Sequence, residues 1–538
     1  MKKEAKHGFS VLRVAGILFV IPFVCLVVSV VLAAIPFPPL PPYQPVPMNY
    51  VPGVSGLVVY SNTNGVALIN PGNHTISPVL LNGFDWTIDP NTGEPVGGQL
   101  GSEGGGRFDL AMTSNGLQAL ISNFGDSKVF FIDLSSGTPV VAGMAKIDIF
   151  AEDIAIDPTN EWALVADGGF SPRLAVLHIP TRTWVPAGVD PVTHDPFSYR
   201  IVIDPGPDPI DPEDDVLGFA NAVAIAPDGR TVIVADYFTG AINVLLFDPA
   251  TGGLAFQQTV KLWKYGTDGT APFPFLYRPV NVAISPDGRT VMAVSPNRST
   301  DQNPDPDPNA FYEGSNIAMF VIDQPGHVVR QPDVIMPYRI GGAQSAVFSA
   351  DGRKAYVETI YFDDQPPDPV PPDVFWMYQE IQELTIISPG HASLTRSVRM
   401  PTHRGTSQLF GVDIIAITAD GNFLYVTNPT LSGSEPVIDV VDLRTFTHVK
   451  SIGTPQHYPD PMRNWPDPPN PPDPNNPGDW IEKVMPVGIA FSQQLPVVAV
   501  PALSGWGLLL MLAVFAGAGA IHLARLRNSG EVRGSGHV

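Results

Sequence analysis

Short apolar runs separated by turn residues recur along most of this chain. From Asn221 the pattern reads Ala222-Val223-Ala224-Ile225-Ala226, then Pro227-Asp228-Gly229-Arg230, then Thr231 to Tyr237. Two further runs, Ile242 to Phe247 and Leu254 to Val260, flank Pro249-Ala250-Thr251-Gly252-Gly253. Runs of this length, rich in β-branched residues and bounded by Asp-Gly or Gly-Gly, predict strands. The Asp-Gly pair predicts a two-residue hairpin turn with positive φ angles. The unit is a four-stranded antiparallel sheet.

Its header, a first strand and its turn, recurs at Phe108 to Gly116, Glu152 to Asn160, Val280 to Gly288, Gln344 to Gly352 and Asp413 to Gly421. A seventh first strand, Val487-Gly488-Ile489-Ala490-Phe491-Ser492, has no turn or second strand after it. The three strands it lacks stand at the other end: Gly56 to Tyr60, Gly65 to Ile69 and Ile76 to Leu81 have no header before them. One sheet split between the two ends closes a ring and leaves no exposed sheet edge. The expectation is specific: Ile489 and Phe491 pair with the strand Leu57 to Tyr60.

Residues in the second strands carry a resemblance. Leu424-Tyr425-Val426-Thr427-Asn428 resembles the YVTN β-propeller signature, with looser versions at Val59-Tyr60-Ser61-Asn62, Val234-Ala235-Asp236-Tyr237 and Ala355-Tyr356-Val357-Glu358. The resemblance covers residues 56–492 and implies an all-β, seven-bladed β-propeller. It implies little about activity, since one fold carries many functions.

From Gly116 to Asn160, Gly229, Gly288, Gly352 and Gly421 the successive steps are 44, 69, 59, 64 and 69 residues, against roughly 40 to 45 for a minimal blade. Most blades therefore carry insertions. Asp190 to Asp215 and His457 to Asp479 lie between a fourth strand and the next first strand, as do Lys264 to Arg278 and Met400 to Phe410. Asp301 to Asn309 and Asp363 to Asp373 lie between a second and a third strand. In an up-and-down blade both kinds of connection emerge on one face, while the Asp-Gly turns and the third-to-fourth turns emerge on the other. Loops on a rigid scaffold usually carry recognition. The competing reading is that each Pro-Asp tract is a solvated spacer.

Composition narrows the setting. The chain has 59 Pro, 50 Gly and one Cys, is 44% hydrophobic and 15% charged, and carries a net charge of −22. That balance suits a large extracytoplasmic β-rich protein and argues against nucleic acid as a partner. Residues 1–34 place Lys2, Lys3, Lys6 and Arg13 before an apolar run ending in Ala33-Ala34, the order of a secretory signal. An uncut membrane anchor is the alternative. Cys25 lies in this run, so a cleaved chain has no disulfide, thiolate metal site or Cys nucleophile. Residues 35–52 form a Pro-rich linker and residues 53–495 the ring.

Behind the ring, residues 496–506 hold Val500-Pro501-Ala502-Leu503-Ser504-Gly505-Trp506, followed by Gly507. An apolar span at 507–524 precedes a tail, 525–538, that begins with Arg525 and Arg527, the pattern of a membrane helix with a cytoplasmic C-terminus. This arrangement is similar to the IPTL-CTERM sorting signals of Gram-negative bacteria. Pro501, Leu503, Ser504, Trp506 and Gly507 match, while Val500 and Ala502 replace Ile and Thr. The resemblance implies recognition by a membrane sorting enzyme and an envelope or surface location; an ordinary C-terminal anchor is the alternative. The closing strand runs toward the plain face, so both tethers should leave from that side.

Catalytic signatures are few. The chain has no Gly-x-Ser-x-Gly elbow, no His-Glu-x-x-His, no phosphate-binding loop and no dinucleotide fingerprint. A tunnel-mouth site would fall where first strands begin: Asp109, Asp153, Ala222, Asn281, Ser345, Ile414 and Gly488, with Glu152, Asn221, Gln344 and Asp413 one step earlier. Asp109, Asp153 and Asn281 could hold a hard cation such as Ca²⁺ through oxygen, or simply line a hydrated tunnel. On the elaborated face, His403 and Arg404 suit acid–base or anion-binding work. Trp263, Tyr265, Phe273, Phe275 and Tyr277 suit stacking on a glycan or partner, or covering a blade edge. Three functions stay open: a surface module binding a protein or glycan, an extracytoplasmic enzyme of lactonase-like or quinoprotein-like kind, and a structural envelope component.

Overall fold

The structure, a computed structural model, describes residues 44–492 apart from 62–64, 82–86, 89–94, 97–108, 126, 170–171, 190, 202–218, 238, 263–277, 296–316, 335, 337–340, 364–375, 402–414, 429–436 and 455–484. Among the described residues every regular element is a strand, and no helix is long and apolar enough to cross a membrane.

Seven antiparallel sheets form the blades. Blade 2 runs Leu110–Met112, Gln118–Asn123, Lys128–Asp133, Val140–Lys146. Blade 3 runs Ala151–Ile156, Trp162–Asp167, Arg173–His178, Thr183–Val185, and its third strand also pairs Tyr199–Arg200. Blade 4 is Ala220–Ile225, Thr231–Asp236, Ala241–Asp248, Gly253–Lys261, and blade 5 is Asn281–Ile284, Thr290–Val294, Ile317–Gln324, His327–Val334. Blade 6 is Gly341–Phe348, Lys354–Asp363, Trp376–Ser388, His391–Arg399, and blade 7 is Ile415–Ile417, Phe423–Asn428, Val437–Asp442, Thr447–Gly453. Two small hairpins lie outside this scheme, Thr87–Ile88 with Pro95–Val96 and Gly188–Val189 with Pro196–Phe197.

Blade 1 is the split sheet. Met485–Phe491 supplies its inner strand, and Gly56–Ser61, Gly65–Asn70 and Thr75–Ile76 supply the rest. Gly56 pairs with Phe491, Leu57 with Ala490 and Val58 with Ile489, as expected. The outer strand is shorter than the run Ile76 to Leu81 suggests. Pro78 has no N–H to give a ladder, and Ser77 Oγ instead accepts the Leu68 N–H at 2.8 Å before Leu80 rejoins Val66. Val46 N–H then donates to Ile76 O at 2.8 Å, so the incoming chain covers this outer edge.

Side chains alternate sides along a strand, and here both sides are covered. Leu120, Val129 and Phe131 pack toward blade 3, whereas Ala119, Ile121, Phe130 and Ile132 pack toward blade 1. Seven such apolar clusters fill the seven interfaces, the last joining Tyr425, Ile438 and Val440 of blade 7 to Val58, Ala67 and Ile489 of blade 1. Burial on two faces explains why these strands read as continuous apolar runs rather than alternating ones. Each fully buried Leu, Ile or Phe stabilises by about 1.5–3 kcal/mol.

The first-to-second turns differ from the two-residue form expected. In blade 4 the Ala226 N–H donates to Thr231 O and the Gly229 N–H to Ala226 O, giving a four-residue loop. Positive φ occurs only at Gly116, Asn160, Gly229, Gly288, Gly352 and Gly421, not at the preceding residue. That preceding side chain has another task. Asp228 Oδ1 accepts the N–H groups of Arg230 and Thr231 at 2.8 Å, and Asn115, Asp287, Asp351 and Asp420 make the equivalent bond. Blade 3 exchanges the two roles: Asp157 stands two positions earlier and Thr159 takes the Asp position, hydroxyl to carboxylate.

Candidate binding face and tunnel mouth

Adjacent strands run in opposite directions, so each face of the disc receives one class of connection. First-to-second and third-to-fourth connections are short throughout, for example 226–230, 285–289, 325–326, 389–390 and 418–422. Every long interval between blade strands is of the other two classes: 77–109, 186–219, 262–280, 295–316, 364–375, 400–414 and 454–484. One face is plain and the other elaborated. Trp263, Tyr265, Phe273, Phe275, Tyr277, His403 and Arg404 belong to these intervals but lie outside the described residues, as do Ile414, the signal segment and the whole C-terminal tail from 493.

The chain entering the ring and the last described residue meet on the plain face. The Tyr50 N–H donates to Gly137 O in a third-to-fourth turn at 2.6 Å, and the Gly53 N–H donates to Ser492 Oγ at 3.0 Å. Ser492 and Tyr50 crowd Gly116, where an added methyl would lie 2.9 Å from Ser492 Cβ and 3.0 Å from the Tyr50 hydroxyl. The turn missing from blade 1 is thereby filled by the two ends themselves.

At the elaborated end of the tunnel the structure brings Asp109 and Asp153 together and leaves Asn281 two blades further round. Each bridges to the inner strand of a following blade. Asp109 Oδ2 accepts the Ile154 N–H at 3.1 Å, Asp153 Oδ2 accepts the Val223 N–H at 2.6 Å, and Asn281 Oδ1 accepts the Ala346 N–H at 3.2 Å. Ala222 cannot do this, and Asn221 beside it donates to Val280 O at 2.6 Å. Ser122 extends the scheme, its hydroxyl donating to Glu152 O at 2.6 Å and accepting the Asp109 N–H at 2.9 Å. At Gly488 an added methyl would lie 3.0 Å from Val59 Cγ1, so a side chain there would press on the second strand of its own blade.

Burial holds the Asp109 carboxyl above the usual carboxylate range, against the opposing pull of hydrogen bonds to Asp153 and to the backbone at Leu110 and Ile154. Two hydrogen-bonded buried carboxyls share a proton more readily than both ionise. Among the described residues, Asp109 Oδ1 has no hydrogen-bond partner. A Ca²⁺ ion takes six to eight oxygens, and among the described residues no three His, Cys, Asp or Glu side chains gather to hold a metal. The oxygens placed here serve the joints between blades. Further down, the partly exposed inner-strand residues are apolar: Ala111, Met112, Ala155, Ile156, Ala224, Ile225, Ala283 and Ile284.

Three arrangements were not visible to sequence reasoning. Asp167 and Asp236 end their second strands on the elaborated face and gather loop backbone. Asp167 Oδ1 accepts from Phe150 and Gly169, and its Oδ2 accepts from Arg173 Nε at 2.8 Å. Asp236 Oδ1 accepts from Phe219 and Thr239. Glu358, at a position where blades 3, 4 and 5 have Ala166, Ala235 and Val294, is fully buried and faces Ser345 across the sheet. Burial pushes its pKa up to about 8, opposed by the bond from Gln379 Nε2 at 3.1 Å. Asp439, His448 and Ser451 have the composition of a nucleophilic triad. Asp439 and Ser451 both meet the same ring nitrogen, His448 Nε2, so the imidazole cannot pass a proton from one to the other.

No protein-family model matches the chain, and no curated protein does. Solved structures do. A functionally unknown protein from Desulfotomaculum acetoxidans superposes with a TM-score of 0.50 at 14% identity, covering 74% of this chain and 95% of that one. The periplasmic gluconolactonase of Pseudomonas aeruginosa gives 0.47 at 13% identity, covering 74% and 94%. A putative 6-phosphogluconolactonase from Bacteroides uniformis gives 0.46 at 12%, with the same coverage. At these identities the likeness speaks for the fold alone.

Proposed function

We propose that this chain is an exported, tethered propeller that acts by binding, presenting its acidic, Pro-rich face to a protein or glycan. The observation that carries the reading is the segregation of connections: all seven long intervals leave one face, and the other is reduced to hydrogen-bonded turns. A closed disc of seven packed interfaces is a rigid support for such loops. The tethers complete the reading. Residues 1–34 direct export, and residues 496–524 present a sorting signal and membrane span to a membrane enzyme of a Gram-negative envelope. With Tyr50, Gly53 and Ser492 on the plain face, the tethered disc points its elaborated face outward.

The test is a glycan array and a panel of envelope fractions probed with the full chain and two variants. In one, Asp301, Asp305 and Asp307 become Asn; in the other, plain-face Asp228 and Asp287 become Asn. Signal lost only in the first is the expected result, and signal lost only in the second overturns the reading. A second reading, lactonase-like catalysis at the tunnel mouth, has one observation in its favour, the buried Asp109–Asp153 pair with a free Asp109 oxygen. Lactone hydrolysis by the full chain that falls in D109N would establish it.

A further inference from the structure

Several buried carboxylates in this fold have evident partners. Asp167 meets Arg173, Glu383 meets Lys354 and Arg396, and Asp109 and Asp153 take backbone N–H groups. Glu358 differs. It is fully buried, and among the described residues its one hydrogen bond comes from the neutral Gln379 side chain at 3.1 Å. No lysine, arginine or histidine offsets its charge. A charge buried away from water is normally paired or coordinates a metal.

Two neighbours share its position. Ser345 stands directly opposite Glu358 on the inner strand of blade 6, and Gln379 lies two residues before Ile381, the partner of Glu358 on the third strand. Opposed residues of an antiparallel pair lie on one side of the sheet. Here that side faces blade 7, because Val347, Tyr356 and Ile381 of the same rows pack on Leu424, Val426 and Val441. Gln379 Nε2 reaches over to Thr427 O of blade 7 at 3.4 Å as well as to Glu358 Oε1. Both targets only accept, which fixes the orientation of the amide. Glu358 Oε2, Gln379 Oε1 and Ser345 Oγ are all buried, and among the described residues none of the three has a hydrogen-bond partner.

We propose that Ser345 Oγ, Glu358 Oε2 and Gln379 Oε1 form a site for an alkali-metal cation between blades 6 and 7. Carboxylate, amide and hydroxyl oxygens suit a hard cation. Charge selects its valence: one carboxylate neutralises one positive charge, and a divalent ion would leave a net charge buried at a cost. The ion also supplies a joint. Ser345 holds the position from which Asp109, Asp153 and Asn281 bond a following inner strand, and its own hydroxyl makes no such bond among the described residues. Without the ion the carboxyl holds a proton. The site goes beyond the binding reading of the elaborated face and does not depend on it.

Thermal unfolding of the full chain at about pH 8 in the chlorides of sodium, potassium and tetramethylammonium tests it. At equal ionic strength all three salts screen alike, and only the small ions fit between the blades. Where the ion exceeds its dissociation constant about tenfold, sodium or potassium should raise the midpoint by about 1–2 °C over tetramethylammonium. The gain should vanish in E358Q and shrink in S345A, and the sodium NMR resonance should broaden with the wild-type chain and not with E358Q. Equal midpoints in all three salts, without broadening, overturn the proposal and leave the three atoms to an ordered water. A gain that E358Q retains overturns it too. Stabilisation by calcium chloride that E358Q loses, with none from sodium or potassium, overturns the monovalent assignment. Should E358Q fail to fold, S345A decides, and an undiminished gain there overturns the site.

Discussion

On the plain face, Asp228 bonds the N–H groups of Arg230 and Thr231, two and three residues away in sequence. On the elaborated side, Asp109, Asp153 and Asn281 bond N–H groups 45, 70 and 65 residues away. Both sets are carboxylates and amides on backbone N–H groups, but the first shapes a turn inside one blade and the second fixes one blade against the next. The plain face is thus assembled locally and left short. The elaborated side holds its blades together through buried polar joints.

Closure lies beneath both faces and should show the largest effect. The Phe491 ring sits 5.1 Å from the Tyr425 ring and so close to Gly56 that a methyl there would meet it at 2.4 Å. F491A removes this wedge between blades 7 and 1 and should cost about 3–5 kcal/mol. Thermal unfolding with limited proteolysis reads it: a lowered midpoint with new cleavage near residues 485–492. A wild-type midpoint would mean the split blade is not what closes the ring.

Next in size is a plain-face turn. Gly288 holds φ at 71° and faces Pro227 at 3.4 Å from any added methyl. G288A forces an alanine into the left-handed region beside that ring and should cost about 1–2 kcal/mol. Unfolding in urea measures it. A neutral result would show that the plain face tolerates change as the other does, and the contrast between the faces would collapse.

The same contrast explains what the residue pattern disclosed. Asp-Gly turns, strand runs and the orphan strand at Val487 to Ser492 depend on residues a few positions apart, and these placed the blades and the closing pair in register. The turn type was misjudged because Asp228 serves through its side chain, not through its φ. The joints made by Asp109, Asp153 and Asn281 were visible as polar residues at one position, but their partners lie in the next blade, beyond the reach of any local pattern. Glu358 gave no signal either, since its burial comes from the packing of blades 6 and 7 together.

Glu358 offers the third test, in the elaborated half. Its pKa is raised from 4.5 to about 8 by burial, so it is protonated at pH 7 in the fold and ionised in the unfolded chain. A raised folded-state pKa means stability that is fully present below the unfolded value and is lost as pH rises through about 8. From pH 7 to pH 9 the wild type should lose on the order of 1 kcal/mol through this group. E358Q keeps an acceptor for Gln379 Nε2 and removes the ionisation, so its stability should stay flat over that window. Parallel pH profiles for the two chains would place the pH dependence elsewhere.

The smallest expected effect on stability is the most informative about function. Residues 364–375 join Asp363 to Trp376, the last paired residues of the second and third strands of blade 6, so a short Gly-Ser bridge can replace them without touching the ladder. Loop-closure entropy changes slowly with length, by about 0.6 kcal/mol per doubling, and the replacement should leave the unfolding midpoint within about 0.5 kcal/mol of wild type. If the elaborated face binds, the same variant should lose part of its signal on the array that detects the full chain. A shortened chain that unfolds readily would show that this loop supports the disc, and the division between a structural face and a presenting face would then fail at blade 6, where the strands extend furthest.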